Sequence, residues 1–122
     1  MFFLHIIDDY YFQGILAQLK QKKFWEENYP NPLYKYDYII ALIEHAFSWS
    51  FMINIPWMIW EFLYKDIGCL PIIGIILINT SNHAYVDHCK CNKMQINLIQ
   101  DQLYHFGQIL ATFVIYILIL WF

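Results

Sequence analysis

The chain contains no arginine; its formal positive charges all come from lysine. That absence removes the residue that most often reads guanine edges. With a net charge of −3 and no basic patch interleaved with aromatics, nucleic acid is excluded as an expected partner. Charge of either sign is scarce, at 14 % of residues against the ~25 % of an ordinary soluble domain. Cysteine is limited to Cys69, Cys89 and Cys91, which do not make a disulfide framework. His88-Cys89-Lys90-Cys91 offers a metal two or three ligands, but no second cysteine pair exists to complete a zinc site. No basic segment precedes the first apolar run, and Asp8 and Asp9 interrupt it, so it does not read as a secretory signal. Internal repeats and low-complexity tracts are also lacking.

What is present is apolar. Hydrophobic residues make up 60 % of the chain, above the ~45–50 % of a soluble domain. The 122 residues suffice for one domain spanning 1–122. Together these figures predict an integral membrane protein: an all-α, polytopic helical bundle with about four transmembrane helices, whose first partner is the lipid bilayer.

The spans fall as follows. Residues 1–19 are long enough to cross a hydrocarbon core, which takes ~20 residues, although their weak hydrophobicity also permits an interfacial position. A polar linker with Lys20, Lys22, Lys23 and Lys35 follows, broken by Pro30 and Pro32. Its Trp and Tyr residues, like those elsewhere, read as interfacial anchors. Residues 38–55 form the second span, ending at Pro56, with the stretch after it kinked or interfacial; Glu61, Lys65 and Asp66 mark an exit from the membrane. The third span starts at Pro71 and carries a polar second half that neighbouring helices must shelter. The fourth starts near Asn92 and runs to Phe122. Lysines concentrate in the first loop and, as Lys90 and Lys93, in the third, with Lys65 alone in the second. The positive-inside rule therefore puts the Lys20-to-Lys35 and Lys90-to-Lys93 loops in the cytosol of a bacterial or host cell, with both termini outside.

Each apolar segment carries polar residues at helical spacing. His5, Asp9 and Gln13 recur every fourth residue, as do Asn79, His83 and Asp87; Asn97, Asp101, His105 and Gln108 follow a four, four, three pattern. His45 lies near the middle of the second span. At ~1.5 Å per residue, Asp9, Gln13, His45, His83, Asp87, Asp101 and His105 fall in one layer about 5–15 Å below the cytosolic surface, with His5 further out. Three buried aspartates cost about 8–10 kcal/mol on an insertion scale if left alone. Asp9, Asp87 and Asp101 should therefore meet partners in the bundle interior, and histidines one turn away are the nearest.

These motifs resemble an uncharacterised, domain-of-unknown-function family of small bacterial and bacteriophage multipass membrane proteins. The shared pattern is His-x-x-x-Asp-aromatic-x-x-Gln, then a His, then His-x-x-x-Asp-x-x-Lys, then Asp-Gln-x-x-His. Here it falls on His5, Asp9, Tyr10, Gln13, His45, His83, Asp87, Lys90, Asp101, Gln102 and His105. The resemblance covers nearly the whole chain. It implies a polytopic helical membrane protein, often phage-linked, and no established activity.

Three readings follow. In the first, Asp9, His83, Asp87, Asp101 and His105 ligate a divalent metal, zinc or similar, and act catalytically as a hydrolase on a membrane-embedded substrate, with Gln13, His45, Lys90 and Gln102 supporting them from behind. In the second, the same groups relay protons or pass ions or small solutes through a homo-oligomer. In the third, the pairs lock helices together and the protein acts through a host membrane protein without catalysis. Polar contacts between membrane helices are worth only ~0.6 kcal/mol on average, little reason to carry so many ionisable groups for stability alone.

Overall fold

The computed structural model describes residues 1–65 and 67–121, and these are helical with short connections. Asp66, grouped above with Glu61 and Lys65 as a membrane exit, and Phe122 lie outside the described residues. The order is α1 (Phe2–Ile7), a π-helical turn (Asp8–Phe12), α2 (Leu16–Leu19), α3 (Lys22–Asn28), a 3-10 turn (Pro32–Tyr34), α4 (Asp37–Tyr64), α5 (Cys69–Cys91) and α6 (Leu98–Trp121).

Three helices, α4, α5 and α6, are long and apolar enough to cross a membrane. Their 28, 23 and 24 residues give lengths of about 42, 34 and 36 Å, against a hydrocarbon core of ~30 Å. Their outer faces are apolar: Phe47, Phe51, Phe62, Leu77, Leu110 and Val114 are exposed. Inside, among the described residues, as many polar or charged side chains as apolar ones are buried. A water-soluble fold buries Asp and Lys only rarely, whereas a membrane bundle turns its ionisable groups inward.

The first nineteen residues are not one straight helix. The π turn is closed by the Gln13 N–H donating to the Asp8 carbonyl at 3.0 Å, a five-residue step that gives the turn one residue more than an α-helix has. Asp8 and Asp9 are thereby both buried. Gly14 then adopts a left-handed φ of 46°, a conformation glycine takes without steric cost, and ends the run before α2. The segment lies along α4: the Trp57 Nε1–H donates to Met1 Sδ at 3.4 Å, and the Ser48 hydroxyl donates to Asp8 at 2.6 Å.

The structure decides two points about the long helices. Of the two readings of the stretch after Pro56, the continuing helix holds, and α4 runs through the proline to Tyr64. Proline removes one backbone hydrogen bond, yet ending the helix within a bilayer would free several more, and Ile53, Asn54 and Trp57 remain buried on both sides of the ring. Glu61 caps the turn that follows, accepting the Ile67 N–H at 2.7 Å. At the other end of the chain, exposed Asn97 is not part of a site. Its Oδ1 accepts the Gln100 N–H at 2.9 Å while its own N–H donates to Gln100 Oε1 at 3.0 Å, a reciprocal cap that starts α6. The inward stripe of α6 is Asp101, His105, Ile109, Thr112 and Tyr116.

Towards one end the bundle interior is mainly apolar, with buried Asn54 among the rings, and towards the other it is charged. Trp57 stacks on Tyr116, with ring centroids 4.5 Å apart, over Ile72, Ile75 and Ile76. Trp49, Ile53 and Ile109 form a second apolar layer. Trp49, Trp57 and Tyr116 are thus core side chains and not interfacial anchors: each is at most 8 % exposed. Beyond Trp49, the interior is charged.

Candidate metal centre

Asp87 is the hub. It projects from the last turns of α5 and is 2 % exposed. Its Oδ2 lies 3.3 Å from His45 Nε2 on α4, and its Oδ1 lies 3.4 Å from His105 Nε2 on α6 and 3.8 Å from His83 Nε2 one turn below on its own helix. Each flanking histidine meets a second carboxylate. His45 Nε2 is 3.4 Å from Asp9 Oδ1, and His105 Nε2 is 3.3 Å from Asp101 Oδ1. His45 and His83 face each other, Nε2 to Nε2, at 3.2 Å. All four histidines of the interior, His5 included, are fully buried.

Packing fixes the ring planes. His83 is sandwiched between Trp49, at 4.2 Å and 21°, and His105, at 4.1 Å and 26°. Trp49 also donates from Nε1 to His5 Nδ1 at 2.6 Å. His5 Nδ1 is therefore an acceptor, which makes His5 neutral and leaves its Nε2–H to donate to Gln102 Oε1 at 3.1 Å. The Gln102 amide in turn donates to Asp9 Oδ2 and Asp101 Oδ2, both at 3.2 Å.

Two lysines complete the charge. Lys20 Nζ lies 2.6 Å from Asp87 Oδ2, and Lys90 Nζ lies 2.6 Å from Asp101 Oδ2. Three carboxylates of the cluster (Asp9, Asp87 and Asp101) meet two ammonium groups, while buried Asp8 is held apart by the Ser48 hydroxyl. With all three ionised the cluster keeps a net negative charge, which a protonated histidine or a bound cation would offset.

The sequence-derived set is placed as follows. Asp9, His83, Asp87, Asp101 and His105 come together. His45, expected behind the other five, stands among them. Gln102 and Lys90 support the carboxylates. Gln13 does not reach the cluster; its amide donates to the Asp9 carbonyl oxygen. Gln108 sits a turn away, donating to Asn79 Oδ1 at 3.0 Å. His5, expected further out, touches Gln102 and Trp49. Lys20, expected in a cytosolic loop, is buried in the site; only the 67-residue separation from Asp87 hid it. His88 is outside the cluster, stacked on Tyr38 with ring centroids 6.2 Å apart.

The donor set suits a metal. Two groups, Asp9–His45–His83 and His83–Asp87–His105, each offer three ligand atoms within 4.8 Å of one another, and all of these residues are buried. His105 Nε2 and Asp101 Oδ1 are buried and close, yet neither forms an aligned hydrogen bond. Nitrogen and carboxylate donors to zinc at ~2.0–2.1 Å stand about 3.3–3.4 Å apart at the corners of a tetrahedron. Four of the His–Asp contacts fall at 3.3–3.4 Å, with the wrong angles for hydrogen bonds at His105. No cysteine joins these groups among the described residues. The chain matches no family model, no curated protein and no solved structure.

Proposed function

We propose that the cluster binds one divalent cation, zinc or similar, and that the protein is an integral membrane hydrolase acting on a membrane-embedded substrate. The spacing of the His and Asp donor atoms around Asp87 carries this reading. The net negative charge of the cluster, three carboxylates against two ammonium groups, supports a bound cation, and a second dication would overcharge a buried volume. A divalent ion held there would supply Lewis acidity and an activated water. The protein's own share is orientation: the Trp49–His83–His105 stack holds two imidazole planes, His5 through Gln102 steers Asp9 and Asp101, and Lys20 and Lys90 anchor the Asp87 and Asp101 carboxylates. Metal analysis of the purified protein tests the proposal. One equivalent in the wild type, lost in Asp87→Asn and His105→Ala, is expected; no metal at any stage of a chelator-free preparation refutes it.

In this reading residues 1–19 lie inside the bilayer as a broken fourth element beside α4, with the Lys-rich loops in the cytosol. Lys20 and Lys90 are engaged with carboxylates, but Lys22, Lys23 and Lys35 still outnumber Lys65, which supports that orientation.

One observation favours a second reading, proton passage. Polar contacts continue past the histidines: Asn79 bonds Thr112 at 3.0 Å, and the Tyr116 hydroxyl donates to buried Asn54 at 2.7 Å. Proteoliposome proton flux that Asn54→Leu abolishes would favour it over hydrolysis.

A further inference from the structure

The residues of the cluster are buried, and the carboxamide that bonds them reaches the surface at one cleft. Between the π turn and α6 lies an open cleft of about 600 Å³, lined by Ile6, Tyr10, Tyr11, Gln102 and Phe106. Four of these present rings or aliphatic carbon and are exposed; Tyr11 is 77 % exposed. The fifth, half-buried Gln102, is the carboxamide that bonds Asp9, Asp101 and His5 on its inner side. One uncharged side chain, Gln102, thus lines the apolar cleft on one side and bonds the ionised interior on the other.

The bonds Gln102 makes define what could replace it. Its nitrogen donates to two carboxylates and its oxygen accepts from the His5 Nε2–H. A visiting head group must likewise donate to anions and accept from one ring N–H. A hydroxyl-ester or a primary amide meets both demands. An anionic head does not, since Asp9 and Asp101 would repel it. The rest of the ligand must suit Ile6, Tyr10, Tyr11 and Phe106, which calls for a long hydrocarbon chain lying along the bilayer side.

We propose that this seam is the entrance to the cluster, and that its ligand is a neutral, single-chain amphiphile with a head that both donates and accepts hydrogen bonds, such as a monoacylglycerol or fatty amide. The head displaces the Gln102 carboxamide from the two carboxylates while the chain stays between the π turn and Phe106. The proposal rests on the cluster being a site of chemistry, because only then does an entrance serve a purpose.

The test uses the full chain in lipid nanodiscs, with a monoacylglycerol carrying a diazirine in its chain. After irradiation, labelled peptides are mapped by mass spectrometry, with competition by unlabelled monoacylglycerol or by the permanently anionic alkyl sulfate of equal chain length. Adducts are expected on Tyr10, Tyr11 and Phe106, displaced by monoacylglycerol at a concentration about tenfold lower than by the sulfate, a difference of ~1.4 kcal/mol. Gln102→Met, which cannot offer the amide's bonds, should alter this head preference while the cleft is still labelled. Labelling spread evenly over Phe62, Leu77 and Leu110, equal competition by the two heads, or chain-to-chain adducts at Tyr11 in place of lipid adducts would overturn the proposal. Metal content is measured on the same samples. Saturable cleft labelling of metal-free protein upholds the entrance and removes the ion, and metal without cleft labelling does the reverse.

Discussion

Lys20→Met separates a metal centre from a purely structural salt-bridge cluster, because the two assign opposite signs to one of its effects. Lys20 Nζ is 2.6 Å from Asp87 Oδ2, and the two side chains are 8 % and 2 % exposed. Removing one partner of a buried pair typically costs about 3–5 kcal/mol, because the other charge is left uncompensated. The backbone around Lys20 does not depend on its ammonium: the Asn92 amide donates to the Lys20 carbonyl at 3.1 Å, and the Lys22 N–H donates to Asn92 Oδ1 at 2.7 Å. In chelator, then, the variant should fold and be less stable by about 3–5 kcal/mol. With zinc the sign for binding reverses. A dication bonded at ~2.1 Å to Asp87 Oδ1, the oxygen that faces His83 and His105, lies about 6 Å from the ammonium, and at an effective dielectric near 20 the repulsion is about 6 kcal/mol. Even a quarter of that, once solvent and relaxation are allowed for, raises zinc affinity about tenfold on removal of the lysine. Competition against a chromogenic chelator gives the affinity, and denaturant unfolding in detergent, with and without zinc, gives the stability. A variant equally destabilised in both conditions, with zinc binding no tighter than the wild type, would refute the assignment of Asp87 as a ligand.

Two further outcomes follow from the same geometry. Trp49→Phe keeps a ring against His83 but loses the hydrogen bond to His5 Nδ1, so it should lower stability by about 1–2 kcal/mol and, by freeing the His5 tautomer, weaken metal binding, both read by unfolding and chelator competition. Acidification should release the ion, since protons compete for the same histidine nitrogens and carboxylates; bound metal, measured after desalting across a pH series, should fall as pH drops through the histidine range and below, and metal retained at full occupancy near pH 4 would contradict ligation by His45, His83 and His105.

The parts legible in the sequence were those written within single helices. Asn79, His83 and Asp87, and likewise Asp101 and His105, share a helix face by spacing alone, and the structure buries all five. The apolar runs likewise announce α4, α5 and α6. What stayed hidden depends on contacts between distant segments or on irregular backbone. A lysine in a polar linker reads as a surface charge, and nothing local distinguishes Lys20 from Lys22. Trp49 reads as an anchor until its ring is seen against His83 from another helix. Residues 1–19 keep a four-residue period in sequence, yet the π turn breaks that period in space, which is why Gln13 misses the cluster while Asp8 is buried. Asn97 fits the stripe of α6 by counting but stands where a helix must begin, and the capping requirement takes precedence.

The π turn at Asp8–Phe12 also sets the phase of everything before it. One residue removed from it would restore an ordinary α-helix, and each earlier side chain would swing by about 100° about the segment axis. His5 would leave Trp49 and Gln102, and Met1 would leave Trp57, although no residue named in the cluster had been altered. Length in this one turn is therefore as constrained as residue identity in the site itself: a substitution at exposed Tyr11 keeps the register, and its deletion does not.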